Sequence, residues 1–447
     1  MCVKNAKVVD GEVSDTLTVE SENVSPVVKE TKNPITEVSL KSISQLRGVW
    51  RGISQKDGDS NVSKHQFWNT QPVVQIGDKT IETSTGSIEK LGDKETIPEN
   101  PYTLPSPFMW KTCNVMDDKE LEEVYILLNE NYVEDDDNMF RFQYSKEFLR
   151  WALTVPGYHP EWHVGVTTNN RKLVAFITGT PATIFVKKEA LKMAEINFLC
   201  VHKKLRSKRL APVLIKEVTR RVHRTGIAHA VYTAGILLTQ PVSECIYYHR
   251  SLNIKKLVDI RFTSLGPRTT LSMAQRLYRL PEQINISGLR PMKSKDVPQA
   301  FNLLCQNLKE KTSLYPIFTL EEFKHIILPS KDVIVSYVRE LDNKITDFFS
   351  FYFLPSSVIG NPKYKLLNAA YSYYNVATSV PLEDLIGAAL IIAKRLGVDV
   401  FNALDLNENS QFIEKLRFGR GDGSLRYYLY NYICPPMEAS NVGLVML

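Results

Sequence analysis

The stretch Glu195-Ile196-Asn197-Phe198-Leu199-Cys200-Val201-His202 runs straight into Lys203-Lys204-Leu205-Arg206-Ser207-Lys208-Arg209-Leu210-Ala211. The first part is apolar and reads as a buried strand that ends near Val201. The second is basic and predicts a loop feeding a helix over about 211–224. A helix start carries free backbone N–H groups and the positive end of the helix dipole. With cationic side chains beside it, this junction suits a ligand that bears phosphate.

Working outward, residues 163–168 and 172–178 alternate as a strand pair around Asn169-Asn170. Gly226 stops the helix after the basic loop, and 230–234 predicts the next strand. Residues 245–252 read as a helix and 257–262 as a strand. The second half repeats the order: strand 369–376, helix 381–395, Gly397, strand 400–404, helix 412–416 and strand 427–432. Arg221-Val222-His223-Arg224-Thr225-Gly226-Ile227 can be set beside Ala393-Lys394-Arg395-Leu396-Gly397-Val398. The chain thus reads as one α/β fold, duplicated. Only the first half carries the basic loop; the second has Ala377-Thr378-Ser379-Val380 there.

Composition bounds the rest. The 447 residues allow two or three domains, and 43% hydrophobic with 23% charged residues is ordinary for a soluble protein. A net charge of +6, held in local clusters, does not call for nucleic acid. Cys2, Cys113, Cys200, Cys245, Cys305 and Cys434 show no metal-ligand spacing, so reduced thiols in a cytoplasmic protein without structural zinc are expected. No run reaches the roughly 18 apolar residues of a membrane span. Met1-Cys2-Val3-Lys4 lacks the apolar core of a signal peptide.

Residues 1–45 read as a disordered tail. A long arm follows to about 110, broken by Pro101, Pro105 and Pro107 and carrying His65-Gln66-Phe67-Trp68. A helix opens at Asp117-Asp118-Lys119-Glu120. After it, Glu134-Asp135-Asp136-Asp137 stands between aromatics. This acidic loop is either a solvated turn or a seat for a cationic partner.

Taken together, residues 195–211, Tyr232-Thr233-Ala234-Gly235, Tyr248-His249-Arg250-Ser251-Leu252-Asn253, Phe418-Gly419-Arg420-Gly421-Asp422-Gly423 and the ending Val442-Gly443-Leu444-Val445-Met446-Leu447 resemble the glycylpeptide N-tetradecanoyltransferases, or N-myristoyltransferases. The resemblance covers about residues 46–447. It implies a mixed α/β fold: two tandem acetyltransferase-like halves of the GNAT type, with pseudo-two-fold duplication around a saddle-shaped mixed sheet. Residues 46–255 would form the acyl-CoA-binding half. Residues 256–447 would form the half that completes the peptide groove and supplies the chain end. The implied activity is transfer of a myristoyl group from myristoyl-CoA to the N-terminal glycine of proteins, without a metal.

Acyl transfer from a thioester to an amine passes through an oxyanion that needs preorganised N–H donors. A bulge before Val201 would turn the N–H groups of Phe198 and Leu199 outward together. The resemblance makes them the oxyanion hole, whereas a plain core strand would explain the stretch without one. It also assigns acyl-CoA contacts to His65, Gln66, Phe67 and Trp68, to Phe198, Leu199, Cys200 and Val201, and to Arg206, Ser207, Lys208, Leu210 and Ala211. The family usually has Tyr where this chain has His65.

The glycine amine is mostly protonated at neutral pH and needs a base. No Ser-His-Asp set is evident, and Cys200 in an apolar strand reads as a buried hydrophobe. The resemblance assigns the base to the C-terminal carboxylate, here of Leu447, with Asn197 and Thr233 close by; the apolar ending favours its burial. The peptide groove is assigned to Tyr132, Phe140, Phe142, Tyr247, His249, Ser356 and Tyr371. Asp135, Asp137 and Asp422 would attract basic residues downstream of the glycine. The implied partners are N-terminal-glycine peptides and nascent proteins with downstream Ser, Lys or Arg, met by a monomer. Two other readings stay open: an acetyl-CoA-dependent N-acetyltransferase, and a noncatalytic adaptor for basic peptides.

Overall fold

A computed structural model describes residues 66–447 apart from 79–80, 82–83, 93, 136–137 and 267. The expected tail, His65 and Asp137 lie outside the described residues.

The expected strand and helix form as read. The strand Glu189–Val201 leads through a short 3-10 turn, Lys203–Lys208, into the helix Leu210–His223. That helix buries Leu210, Val213, Leu214, Val218 and Val222 against the sheet, an i, i+3/i+4 stripe. Each such side chain adds about 1.5–3 kcal/mol by leaving water. Gly226 takes φ +86° just beyond the helix, the left-handed stop its sequence predicts. Helix Asp118–Asn131 is fixed at its start by the Asp117 carboxylate, which accepts from the N–H groups of Lys119 and Glu120. Among the described residues no helix is long and apolar enough to cross a membrane.

The sheet shows how the halves join. Among the described residues thirteen strands form one sheet, and its centre runs Glu189–Val201, His229–Ala234, Gly419–Tyr430, Ser243–Ser251, Val400–Leu404, Ala369–Val376, Lys344–Phe353. Each half has an antiparallel pair with a register shift, a 14-residue helix, and then a parallel strand. The closing strands are exchanged: Ser243–Ser251 pairs with Gly419–Tyr430 and Val400–Leu404, both from the second half. Gly419–Tyr430 in turn pairs with His229–Ala234 of the first.

Two readings fail here. Residues 245–252 are strand, not helix, and 257–262 is not a strand but falls across the helix Ile254–Asp259. The strand pairs on both edges, and its burial is uneven, with Glu244 exposed and 246–249 half-buried, so the Tyr-rich run lacks the regular alternation that marks a strand.

Because each half lends the other its closing strand, 66–255 and 256–447 made separately should not fold. Circular dichroism of each alone should show no cooperative melting, and coexpression should recover it. A cooperative transition in either isolated half would contradict the strand exchange.

Candidate active site

The pivotal strand is irregular where the sequence placed its chemistry. Opposite Leu173–Val186, Phe176 pairs with Cys200, but Thr178 pairs with Asn197. Ile177 therefore faces two residues, and the extra one falls at Phe198-Leu199. Phe198 has φ +54°, a left-handed conformation that costs a bulky residue about 1–3 kcal/mol. Its ring is buried against Tyr132 and Tyr144, at 6.0 and 5.3 Å between centroids. On the other side, the parallel register with His229–Ala234 ends at Ile196↔Tyr232. Beyond that pair the strands part, with Asn197 and Leu199 on one and Thr233 on the other.

The basic loop lies next along the chain. Arg209 takes φ +58° at the helix start, and no side chain caps the N-terminus of Leu210–His223. Leu210 and Ala211 open the helix, while Ser207 and Arg206 are exposed and Lys208 is half-buried. Arg206 is already engaged: its guanidinium donates to the carbonyls of Val201 and Asn131. The arm rests against the same helix. Phe67 and Trp68 are buried, Gln66 is exposed, and Trp68 stacks on Tyr232 at 5.4 Å, with Tyr232 stacked on Tyr428. Trp68 Nε1 is buried without a hydrogen-bond partner, a donor that suits an incoming acceptor.

Cys200 is buried, and burial pushes its thiol up to about 12. It is inert as a nucleophile at neutral pH.

The chain end is threaded inside. Val442, Leu444 and Met446 are buried. Tyr427 Oη donates to the Leu444 carbonyl at 2.8 Å, and the Val445 N–H donates to Tyr374 Oη at 3.4 Å. A Cβ on Gly443 would stand 2.6 Å from Leu308 Cδ2 and 2.8 Å from Thr312 Oγ1, so a larger residue would have to push those side chains aside. Leu447 packs against the core cluster that holds Phe198 and Cys200.

A cleft of about 260 Å³ opens between the halves. Asp135, Phe140, Phe142, Tyr247, His249, Ser356 and Tyr371 all line it. Tyr132 does not; it packs beside Phe198 instead. Asp422 is exposed, its charge acts on His249, and its neighbour Gly423 lines the cleft. The Asp135 carboxylate partly serves its own turn, accepting the Phe140 N–H at 2.7 Å. Sequence reasoning missed Asn402, whose Oδ1 lies 2.7 Å from His249 Nδ1, and Phe262, edge-on to His249 and Phe140. Both come from distant segments, and no local pattern marks them. One glycine beside Asp422 has a steric reason: a Cβ on Gly421 would collide with His249 Nε2, whereas one on Gly419 or Gly423 would make ordinary contacts. Burial lowers the His249 pKa, against the hydrogen bond to Asn402 and the charge of Asp422.

Comparison with known proteins decides the family. Residues 87–245 match the N-terminal domain and 259–445 the C-terminal domain of myristoyl-CoA:protein N-myristoyltransferase. The chain belongs to that family. It is 51% identical over 438 residues to glycylpeptide N-tetradecanoyltransferase 1 of Arabidopsis thaliana, covering 96% of this chain and 100% of that one. Against glycylpeptide N-tetradecanoyltransferase 2 of Danio rerio it is 50% identical over 424 residues, covering 94% and 85%. The structure of Saccharomyces cerevisiae N-myristoyltransferase with bound myristoyl-CoA aligns with TM-score 0.82 at 44% identity, covering 86% of this chain and 100% of that one. The chain is thus an acyltransferase with myristoyl-CoA:protein N-myristoyltransferase activity.

Sequence reasoning also passed over one acid beside the bulge. Burial raises the Glu195 carboxyl to about 7, and Asn197 Nδ2 sits 3.4 Å from its Oε1. Between pH 4.5 and about 7 the folded protein holds a proton there that the unfolded chain releases. Stability from this group therefore falls as pH rises through that window. Glu195→Gln should remove the slope, so its gain in melting temperature over wild type should be larger at pH 8 than at pH 5. An equal difference at both pH values would show that Glu195 is not held protonated.

Proposed function

We propose that this family member takes tetradecanoyl-CoA as donor and acylates the N-terminal glycine amine by direct attack, without an acyl-enzyme. The bulge at Phe198-Leu199 carries this reading. A left-handed residue in mid-strand takes consecutive N–H groups out of the ladder; the Phe198 N–H meets the Tyr132 hydroxyl, which a thioester oxygen would displace, and such donors stabilise an oxyanion by several kcal/mol. The yeast relative holds myristoyl-CoA in its crystal structure, which supports the same donor here. The pantetheine and acyl parts would enter where strands Glu189–Val201 and His229–Ala234 part. The phosphates would meet the uncapped start of Leu210–His223, with Ser207, Lys208 and a reoriented Arg206; Gln66, Phe67 and Trp68 would cover the cofactor.

The glycine amine would sit between the cleft and the bulge, near Asn197 and Thr233. The Leu447 carboxylate accepts one ammonium proton, and the freed nitrogen attacks the thioester carbonyl carbon. Charge develops on the carbonyl oxygen against the N–H groups of Phe198 and Leu199. Collapse forms the amide, breaks the C–S bond, and releases coenzyme A as thiolate, which takes up the second amine proton. A buried tail beside Phe198 supports the chain end as base. The cleft's aromatic walls and Asp135 would hold the peptide. Bare exclusion of a Cβ gives limited discrimination, so a tight clamp on the glycine backbone is part of this reading.

The test offers tetradecanoyl-CoA or acetyl-CoA with a Gly-Ser peptide or its Ala counterpart, to intact protein and to protein lacking Leu447. Tetradecanoyl-CoA with the glycine peptide should be preferred. Loss of Leu447 should cut kcat by roughly 10²–10⁴, the range of general-base catalysis. Undiminished activity after the deletion, or equal use of the Ala peptide, would sink the mechanism.

A further inference from the structure

One carboxylate joins the cofactor loop to the peptide cleft. Glu134 follows helix Asp118–Asn131 and forms an isolated antiparallel bridge with Arg141. Its Oε1 accepts from Arg141 Nε and from Lys203 Nζ, each at 2.5 Å. Arg141 stands in strand Phe140–Phe142 on the cleft wall, with Nη1 also donating to the Asn129 carbonyl at 3.1 Å. Lys203 opens the basic loop, and its N–H donates to Asn131 Oδ1 at 3.0 Å. The Glu134 side chain is only 12% exposed. Burial raises its pKa, but the hydrogen bonds from Lys203 and Arg141 outweigh that and hold the carboxyl below its ordinary range.

We propose that Glu134 is a specificity-determining positioning residue. It pairs with Arg141 on the cleft wall and with Lys203 beside it, so that Asp135 keeps its field for substrates with basic residues after the glycine.

This rests on the reading of the cleft as the peptide groove. The ionisable groups lining it are Glu134, Asp135, Arg141, His249, Tyr247 and Tyr371, and burial keeps both tyrosines neutral. Burial disfavours charge on His249. With Lys203 counted beside the wall, two acids balance two cations among the described residues. Without Glu134 the two cations outnumber Asp135 beside a mostly apolar cleft, where screening is weak. An exposed ion pair would matter little. Here the carboxylate is nearly buried and Arg141 is only 21% exposed, so removing Glu134 leaves that guanidinium uncompensated, with the solvated Lys203 adding its charge beside it.

The test uses the full chain, tetradecanoyl-CoA and two glycine peptides that differ only in Lys or Ala downstream. Wild type should show the lower KM for the Lys peptide. Glu134→Gln should raise KM for the Lys peptide roughly tenfold, the scale of one charge-assisted hydrogen bond. It should leave the Ala peptide within about twofold and kcat unchanged, and the difference should shrink at high salt. Glu134→Asp should restore part of the preference. Lys203→Met in the Glu134→Gln background should restore part of it independently. An equal penalty for both peptides, a loss confined to kcat or melting temperature, or no wild-type preference would overturn the proposal. Failure of wild type to acylate either peptide would instead sink the functional reading on which it rests.

Discussion

Phe198 holds a strand in a conformation that strands avoid. Its φ of +54° would suit glycine, yet the residue is a fully packed phenylalanine. Glycine there would be free to relax into a regular ladder and bring the N–H groups back into pairing. Burying the ring among Tyr132, Tyr144 and the helix Asp118–Asn131 returns about as much free energy as the left-handed backbone costs. The bulge is therefore locked by its own side chain. The partner strand, the helix packed over it and the parting from His229–Ala234 follow from that one constraint.

Duplication supplies a control within the same molecule. The second half also has a register shift, between Phe349 and Phe351, and a 14-residue helix after the loop. There, however, side chains satisfy donors both at the bulge and before the helix, whereas in the first half the Phe198 N–H meets the Tyr132 hydroxyl and the start of Leu210–His223 stays uncapped. Tyr374 N–H donates to Ser350 Oγ at 3.0 Å, and the N–H groups of Thr378 and Ser379 both donate to Asp347 Oδ1 at 2.8 Å. Asp347 is fully buried and bonded to the Ser379 hydroxyl as well. The fold thus presents the same backbone twice, and internal side chains close one copy. Openness of the first copy is a property of its sequence: apolar strands and a cationic loop, with no carboxylate to fill the helix start.

Much of this was legible in the chain. The strand ending at Val201, the helix from Leu210, the repeat and the buried ending all came from local pattern. The cleft residues came from resemblance to a family, and the structure gathers most of them on one surface. Pairing between distant segments was not legible. Ser243–Ser251 looked helical because its sheet partners lie more than 140 residues away. Asn402 beside His249, and Arg206 bonded to the Asn131 carbonyl, likewise exist only once remote elements meet. Local periodicity reports which face of an element is buried; it cannot report what buries it.

The chain end adds a constraint of its own. Its path is set by one hydroxyl from Gly419–Tyr430, one from Ala369–Val376, and a glycine pressed against helix Val297–Lys311. All three belong to the second half, while the bulge and the basic loop belong to the first. Under the proposed mechanism the oxyanion donors and the base therefore come from different halves. They meet in one core only after the closing strands have been exchanged. A single half with an open cofactor loop would hold a thioester and have no base. On that proposal, the closed second copy serves to carry Leu447 and the far wall of the cleft to the first.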